Sequence, residues 1–255
     1  MSNVLKSRRI NYPKEMNENF FCIMRRFINP IDLNMIIEKV RKYEERYELE
    51  EGGNDYVSNE NRRINCLYSD FGDERERLSK WPKEEREKLL DKYCDIRNDL
   101  GRDLIKILGN VFLLLRCNRW RILMVQKFDV YPGCNEQQIH MDMLKKNEGM
   151  CRYFISIPLH DTDIKMGPII FYKEESLKEF RKYDNKYKEN EHDIVVGYMN
   201  DLKWEIKQQF LLARYQTEYK FGDISIHRDM TYHSGGTNRT NRVRSFLFII
   251  CDAYC

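Results

Sequence analysis

Two hydrophobic rhythms divide the chain. Behind Asn29, and again from Lys80 to about Leu115 beyond a polar loop over 48–75, apolar residues recur every three to four positions, as on one face of a helix. Ile31, Leu33, Ile36, Ile37 and Val40 form one such stripe behind Asn29-Pro30, with Pro30 suited to a first helical turn. Leu89, Leu90, Tyr93, Ile96, Leu100, Leu104, Ile107 and Leu108 form a second, longer stripe, with Gly101 and Gly109 as expected breaks or close contacts. From Arg121 the period shortens. Runs 121–131, 152–159, 167–172, 224–226 and 245–250 read as strands punctuated by turns, and Ser245–Ile250 is apolar enough for the middle of a buried sheet. Phe20–Met24 reads as an opening strand, and Ile64–Tyr68 as one more.

Helices followed by many short strands predict a mainly β fold with flanking helices, built on a double-stranded β-helix, a jelly-roll of cupin-like form. The expected organisation is a flexible N-terminus over 1–18 and a single domain over 19–255. That domain has helical support at about 30–115, a β core at about 121–252 and a charged insertion at about 173–195.

Composition narrows the possibilities only a little. The 255 residues are 42% hydrophobic and 33% charged with a net charge of +3, a balance that gives no whole-chain case for nucleic-acid binding. The cluster Arg116-Cys117-Asn118-Arg119-Trp120-Arg121 is expected to be a solvated loop. The eight cysteines contain no C-x-x-C pair, which removes zinc-knuckle readings; they read as reduced thiols of a cytoplasmic protein. The most apolar stretch, Leu104–Val125, carries too many charges to span a membrane, and the basic start lacks the apolar region of a secretory signal.

The candidate chemistry lies in Gln138-Ile139-His140-Met141-Asp142. On a strand, residues i and i+2 share a face, so His140 and Asp142 can hold one ion while Met141 points away. His233, ahead of Gly235-Gly236, is the third candidate ligand. Two histidines and one carboxylate are the facial triad of non-haem Fe(II) oxygenases, with three positions left open. The H-E-x-x-H signature of zinc hydrolases is absent. Arg244, at the head of the last apolar strand, is costly to bury without an anion and suits a carboxylate cosubstrate; Arg242 shares its parity and competes for that role. Tyr131 and Tyr153 are further candidates for holding the cosubstrate, and Gln126, Lys127 and Ser156 weaker ones. His160 and His192 are expected at the surface, and His227 packed or hydrogen-bonded near the barrel.

These residues carry a resemblance. His140-Met141-Asp142, His233-Ser234-Gly235-Gly236-Thr237-Asn238-Arg239-Thr240 with Arg244 eleven residues after His233, and Gly222-Asp223 together resemble the motifs of phytanoyl-CoA dioxygenase-like Fe(II)/2-oxoglutarate oxygenases. Leu159-His160-Asp161 with Gly167-Pro168-Ile169, and Phe20–Val40, are similar to further segments of that family. Lys173-Glu174-Glu175-Ser176 departs from its P-G-S-H, on the side that borders the substrate. The resemblance implies His140, Asp142 and His233 as iron ligands and Arg244 as the partner of 2-oxoglutarate. With dioxygen as second cosubstrate, the expected reaction hydroxylates a C–H bond of a small-molecule or lipid-like substrate and releases succinate and CO2. An aspartate at 142 favours hydroxylation over halogenation. A peptide or protein side-chain hydroxylase, and a non-catalytic β-barrel used for binding, are the alternatives.

Overall fold

The computed structural model describes residues 11–47, 62–69, 82–142, 149–177, 180 and 194–254. A short helix α1 (Tyr12–Asn19) leads into β1 (Phe21–Met24). The Asn11 side chain accepts from the Lys14 N–H at 3.2 Å and caps that helix, and Pro13 sits in its first turn, where no donor is needed.

Two helices then build the support. α2 runs Pro30–Tyr47 and α3 Lys83–Leu114, with β2 (Arg62–Ser69) between them. α3 is continuous through Gly101 and Gly109. A Cβ at Gly109 would lie 3.8 Å from the Trp120 ring, an ordinary contact, so neither a break nor unusually close packing falls there. The predicted stripes are buried in their central parts: Leu33, Ile36 and Val40 of α2 and Ile96, Leu100, Leu104 and Leu108 of α3 are at most 1% exposed, whereas Ile31 and Leu90, near the helix starts, are exposed. Each such side chain contributes about 1.5–3 kcal/mol by leaving water.

The β core follows: β3 (Arg119–Val130), β4 (Ile139–Met141), β5 (Cys151–Pro158), β6 (Ile169–Tyr172), β7 (Ile194–Gly197), β8 (Arg214–Gln216), β9 (Ile224–Arg228), β10 (His233–Gly235) and β11 (Arg244–Tyr254), with helix α4 (Trp204–Ala213) before β8. Among the described residues these form two antiparallel sheets, a six-stranded one in the order β1-β9-β5-β11-β3-β2 and a five-stranded one in the order β7-β4-β10-β6-β8. The fold is mainly β with flanking helices, a jelly-roll, as its alternating strands and turns predict.

Alternation sorts the large sheet into two faces. Tyr153, Ile155 and Ile157 of β5, Ile224 and Ile226 of β9, and Leu247 and Ile249 of β11 pack on α2 and α3. Phe154, Ser156, Ser225, His227, Phe248 and Ile250 fall on the opposite face, which looks into the roll. β11 lies between β3 and β5, which explains its nearly unbroken apolar run.

The expected insertion at 173–195 is only partly described. Glu174–Leu177 is a 3-10 turn, residues 178–179 and 181–193 lie outside the described residues, and Ile194-Val195 belong to β7, which pairs with the His140 strand. Cys22, Cys94, Cys134, Cys151 and Cys251 are free thiols, whereas Cys117 is disulfide-bonded, against the expectation of reduced thiols throughout. No helix among the described residues is long and apolar enough to cross a membrane.

Candidate metal centre

The site begins with one register pair. β4 and β10 are antiparallel neighbours, and His140 stands directly opposite His233. Both side chains leave the sheet on the same face, with ring centroids 4.3 Å apart. Asp142 follows β4, two residues after His140. Its Oδ1 lies 3.6 Å from His140 Nε2 and its Oδ2 3.4 Å from His233 Nε2. The donor atoms of His140, Asp142 and His233 all lie within 4.8 Å of one another.

Backbone carbonyls set the tautomers. His140 Nδ1 lies 2.8 Å from Gln138 O, and His233 Nδ1 3.1 Å from Thr231 O. A carbonyl only accepts, so each Nδ1 carries the proton and each Nε2 presents a lone pair. Protonation agrees with this. Burial, together with His140 and His227 alongside, pushes His233 down to about 3 against the pull of Asp142. Burial would raise the Asp142 carboxyl, but His233, His227 and His140 outweigh it and hold Asp142 well below the ordinary carboxylate range. Near neutral pH the cluster offers a neutral His233 and an ionised Asp142. That donor set fits a divalent transition metal.

Glycines let the strands close around it. Gly167, at φ +68, packs so tightly that a Cβ there would meet Gly236 O and Thr237 O at 2.4 Å; at Gly236 a Cβ would lie 2.8 Å from Gln216 Nε2. The Gly235-Gly236 step after His233 therefore serves contact with the Gly167-Pro168 segment. Gly222 does the same at the other end, where Asp223 accepts from Arg25 Nη1 and the Arg26 N–H, both at 2.7 Å, and ties the β1–α2 connection to β9.

Arg244 begins β11 opposite Val130 and is 4% exposed, whereas Arg242 is exposed. Asn238 holds this strand entry. Its Nδ2 donates to Val130 O and Arg242 O at 2.9 and 2.8 Å, and its Oδ1 accepts from the Thr240 N–H and hydroxyl at 3.1 and 2.8 Å. The Arg244 guanidinium donates to Met166 O at 3.2 Å and lies over the Phe246 ring at 5.6 Å. A narrow cavity beside it is lined by Ser156, Thr162, Tyr219 and Ser225, with Phe246 and Ile169 among its apolar walls. The hydroxyls of Ser156, Ser225 and Tyr219 are buried and have no hydrogen-bond partner within the described protein. Burial pushes the Tyr219 hydroxyl pKa up, so it is protonated and available to donate; the nearby Ser225 hydroxyl eases that shift. Buried hydroxyls left without partners around a guanidinium suit an anion with several acceptor oxygens.

The two tyrosines chosen from the sequence do not join this cavity. Tyr153 faces the helices: its ring meets Phe112 edge-on at 5.6 Å, and its hydroxyl lies 3.9 Å from Cys117 Sγ. Residue parity puts it on the outer side of β5, where Ser156 is inside. Tyr131 follows β3 with 36% exposure and is not among the cavity's lining residues. Lys127 also faces out, bonded to Glu44 at 2.8 Å. His160 is tied down, its Nε2 accepting from the Ser245 N–H at 3.1 Å. The sequence did not single out Ser225, Tyr219 and Thr162, which line the cavity beside Arg244, whereas His227 is packed inside the roll as expected. The strict alternation Ile224-Ser225-Ile226-His227 could have flagged Ser225 and His227 as one polar face of a buried strand. Tyr219 had no such signal, since a bridge to Thr162 brings it in.

No family model matches the chain, and no curated protein matches it in sequence. Its fold does recur among solved structures. It is similar to the epimerase SnoN in complex with Fe3+, alpha ketoglutarate and nogalamycin RO, at 11% identity and a TM-score of 0.60 over 95% of this chain and 84% of that one. It is also similar to the non-heme alpha ketoglutarate dependent carbocyclase SnoK from nogalamycin biosynthesis, at 13% identity and 0.57 over 94% and 82%. HygX from Streptomyces hygroscopicus, with nickel and 2-oxoglutarate bound, matches at 9% and 0.53 over 94% and 85%. At such identities the likeness establishes the fold, the jelly-roll on which these metal-dependent enzymes are built.

Proposed function

We propose that this chain is an Fe(II)- and 2-oxoglutarate-dependent dioxygenase that hydroxylates a C–H bond of a small-molecule substrate. One observation carries the reading: His140, Asp142 and His233, from two neighbouring strands, converge with both Nε2 lone pairs presented and the carboxylate ionised. The similar enzymes with metal and 2-oxoglutarate bound support it. The more particular phytanoyl-CoA dioxygenase-like assignment rests on the motif spacing alone.

In this reading His140, Asp142 and His233 hold the iron, and Arg244 pairs with the far carboxylate of 2-oxoglutarate. Ser156, Ser225 and Tyr219 donate to that same carboxylate, which gives their hydroxyls the acceptor they lack within the protein. Bound together, iron, 2-oxoglutarate and dioxygen supply an oxidant strong enough for an unactivated C–H bond, with succinate and CO2 released. Asp142 keeps a carboxylate in the ligand set, which favours hydroxylation over halogenation.

The inner wall near these residues is aromatic. Phe128 stacks on Phe246 at 5.2 Å and meets Phe248 edge-on at 5.3 Å, and Phe248 lies 5.7 Å from Phe154. Such a wall excludes water and receives an apolar part of a substrate, which favours a small molecule over an extended peptide. The test is anaerobic addition of Fe(II) and 2-oxoglutarate. A weak visible charge-transfer band is expected, absent in His140→Ala, with substrate-dependent succinate release once oxygen is admitted. Absence of both band and succinate would refute the reading.

A further inference from the structure

A third imidazole meets the same carboxylate and is wired differently. His227, on the inward face of β9, is fully buried. Its Nε2 lies 3.6 Å from Asp142 Oδ2, the oxygen that also faces His233. Its ring stacks on Phe154 at 5.2 Å and 16°, and is flanked by Phe171 at 5.4 Å and by the His233 ring at 4.5 Å. Unlike His140 and His233, it has no backbone carbonyl on Nδ1, and neither ring nitrogen has a hydrogen-bond partner within the described protein. The group of mutually close donor atoms comprises His140, Asp142 and His233 and leaves His227 out.

We propose that His227 is a positioning residue for Asp142: its Nε2–H donates to Oδ2 and orients the carboxylate toward the metal held with His140 and His233. The inference rests on the metal reading above. The two ligand histidines spend their N–H on carbonyls and keep Nε2 as a lone pair. His227 has no carbonyl to fix it as a ligand, and a carboxylate can only accept from it. The aromatic rings on either side hold the imidazole plane, so its edge is aimed at Asp142. At 3.6 Å the pair stands just outside hydrogen-bond distance, within reach of a small turn of the carboxylate. A carboxylate ligand restrained in this way binds metal more tightly, because partners of this kind are typically worth ten- to a hundredfold in affinity.

The test uses Co(II) as a spectroscopic metal on the full chain. His227→Phe keeps the stacked ring and loses the donor; His227→Gln keeps a donor of similar reach. His227→Phe is expected to weaken Co(II) binding about ten- to a hundredfold while the visible d–d bands of the loaded protein keep their positions. His227→Gln is expected to recover most of the affinity. If His227→Phe does not fold, His227→Asn, polar but too short to reach, takes its place with the same expectation. The inference is overturned if the donorless variant binds Co(II) like the parent, or if the Gln variant binds no better than it. It is equally overturned if the d–d bands shift in the donorless variant, since that would make His227 a ligand. Co(II) binding that survives in His140→Ala would instead sink the metal reading itself.

Discussion

His233 sits directly across an antiparallel ladder from His140, with the two rings 4.3 Å apart and each Nδ1 turned toward the carbonyl two residues before it. Ninety-odd residues of chain separate them, yet a single backbone pair sets their distance, and the carbonyls decide which nitrogen is left bare. The candidate centre is a property of the β4–β10 ladder more than of either histidine.

Removal of one ligand therefore acts on metal binding and not on the fold. His233→Ala is expected to abolish measurable Fe(II) or Mn(II) binding in anaerobic calorimetry. The metal-free protein should stay folded with a lower melting temperature, because Thr231 O loses its donor and the buried imidazole leaves a cavity.

At Arg244 the chemistry of the head group matters as much as its charge. Arg244→Ala is expected to weaken 2-oxoglutarate binding by about 1.5–3 kcal/mol, roughly ten- to a hundredfold, and Arg244→Lys to restore only part of it, since an ammonium lacks the planar fork. Metal affinity without cosubstrate should be unchanged in both. Titration of 2-oxoglutarate against the metal-loaded protein reads this directly.

Ser225→Ala and Tyr219→Phe separate stability from binding. Each removes a buried hydroxyl that has no partner within the described protein, so thermal stability should stay level or increase. The KM for 2-oxoglutarate should nevertheless rise in both. A normal KM in both variants would take these hydroxyls out of the cosubstrate site.

Asn238 is expected to affect Arg244 from a distance. Asn238→Ala leaves the Val130 and Arg242 carbonyls without this donor, at a cost of about 1–3 kcal/mol for the buried Val130 carbonyl and less for the more exposed one at Arg242. Chemical denaturation should show the loss, and 2-oxoglutarate affinity should fall with it while metal affinity holds.

The helical support carries its own pH signature. Lys39 bonds Asp99 at 2.5 Å and Asp103 at 2.7 Å, and Tyr43 donates to Asp99 at 2.8 Å, joining α2 to α3. The Lys39 bond, opposed by burial and aided by Tyr43, lowers the Asp99 carboxyl below its ordinary value. Burial works against the Lys39 ammonium, but Asp103 and Asp99 outweigh it and raise its pKa. A lowered carboxyl stabilises above its unfolded pKa, and that contribution is lost as pH falls through the folded value. A raised ammonium stabilises below its unfolded pKa and loses its contribution as pH climbs through the folded value. Melting temperature against pH should thus decline at both extremes, and Asp99→Asn should flatten both limbs.

Sequence alone determined a good deal here. The change from a three-to-four to a two-residue period separates support helices from β core, because those periods are properties of backbone geometry. The i, i+2 spacing of His140 and Asp142 and the apolar run of β11 were equally legible. Alternation, however, says only that neighbours point to opposite faces; it does not say which face looks inward. Packing against α2 and α3 decided that, turning Tyr153 outward and Ser156 inward, and the Asn238 turn buried Arg244 while leaving Arg242 exposed. His227 and Tyr219 reached the site by the same route. Their neighbours come from distant strands and loops whose register is set by the whole sheet, and no local pattern encodes a contact between residues that far apart.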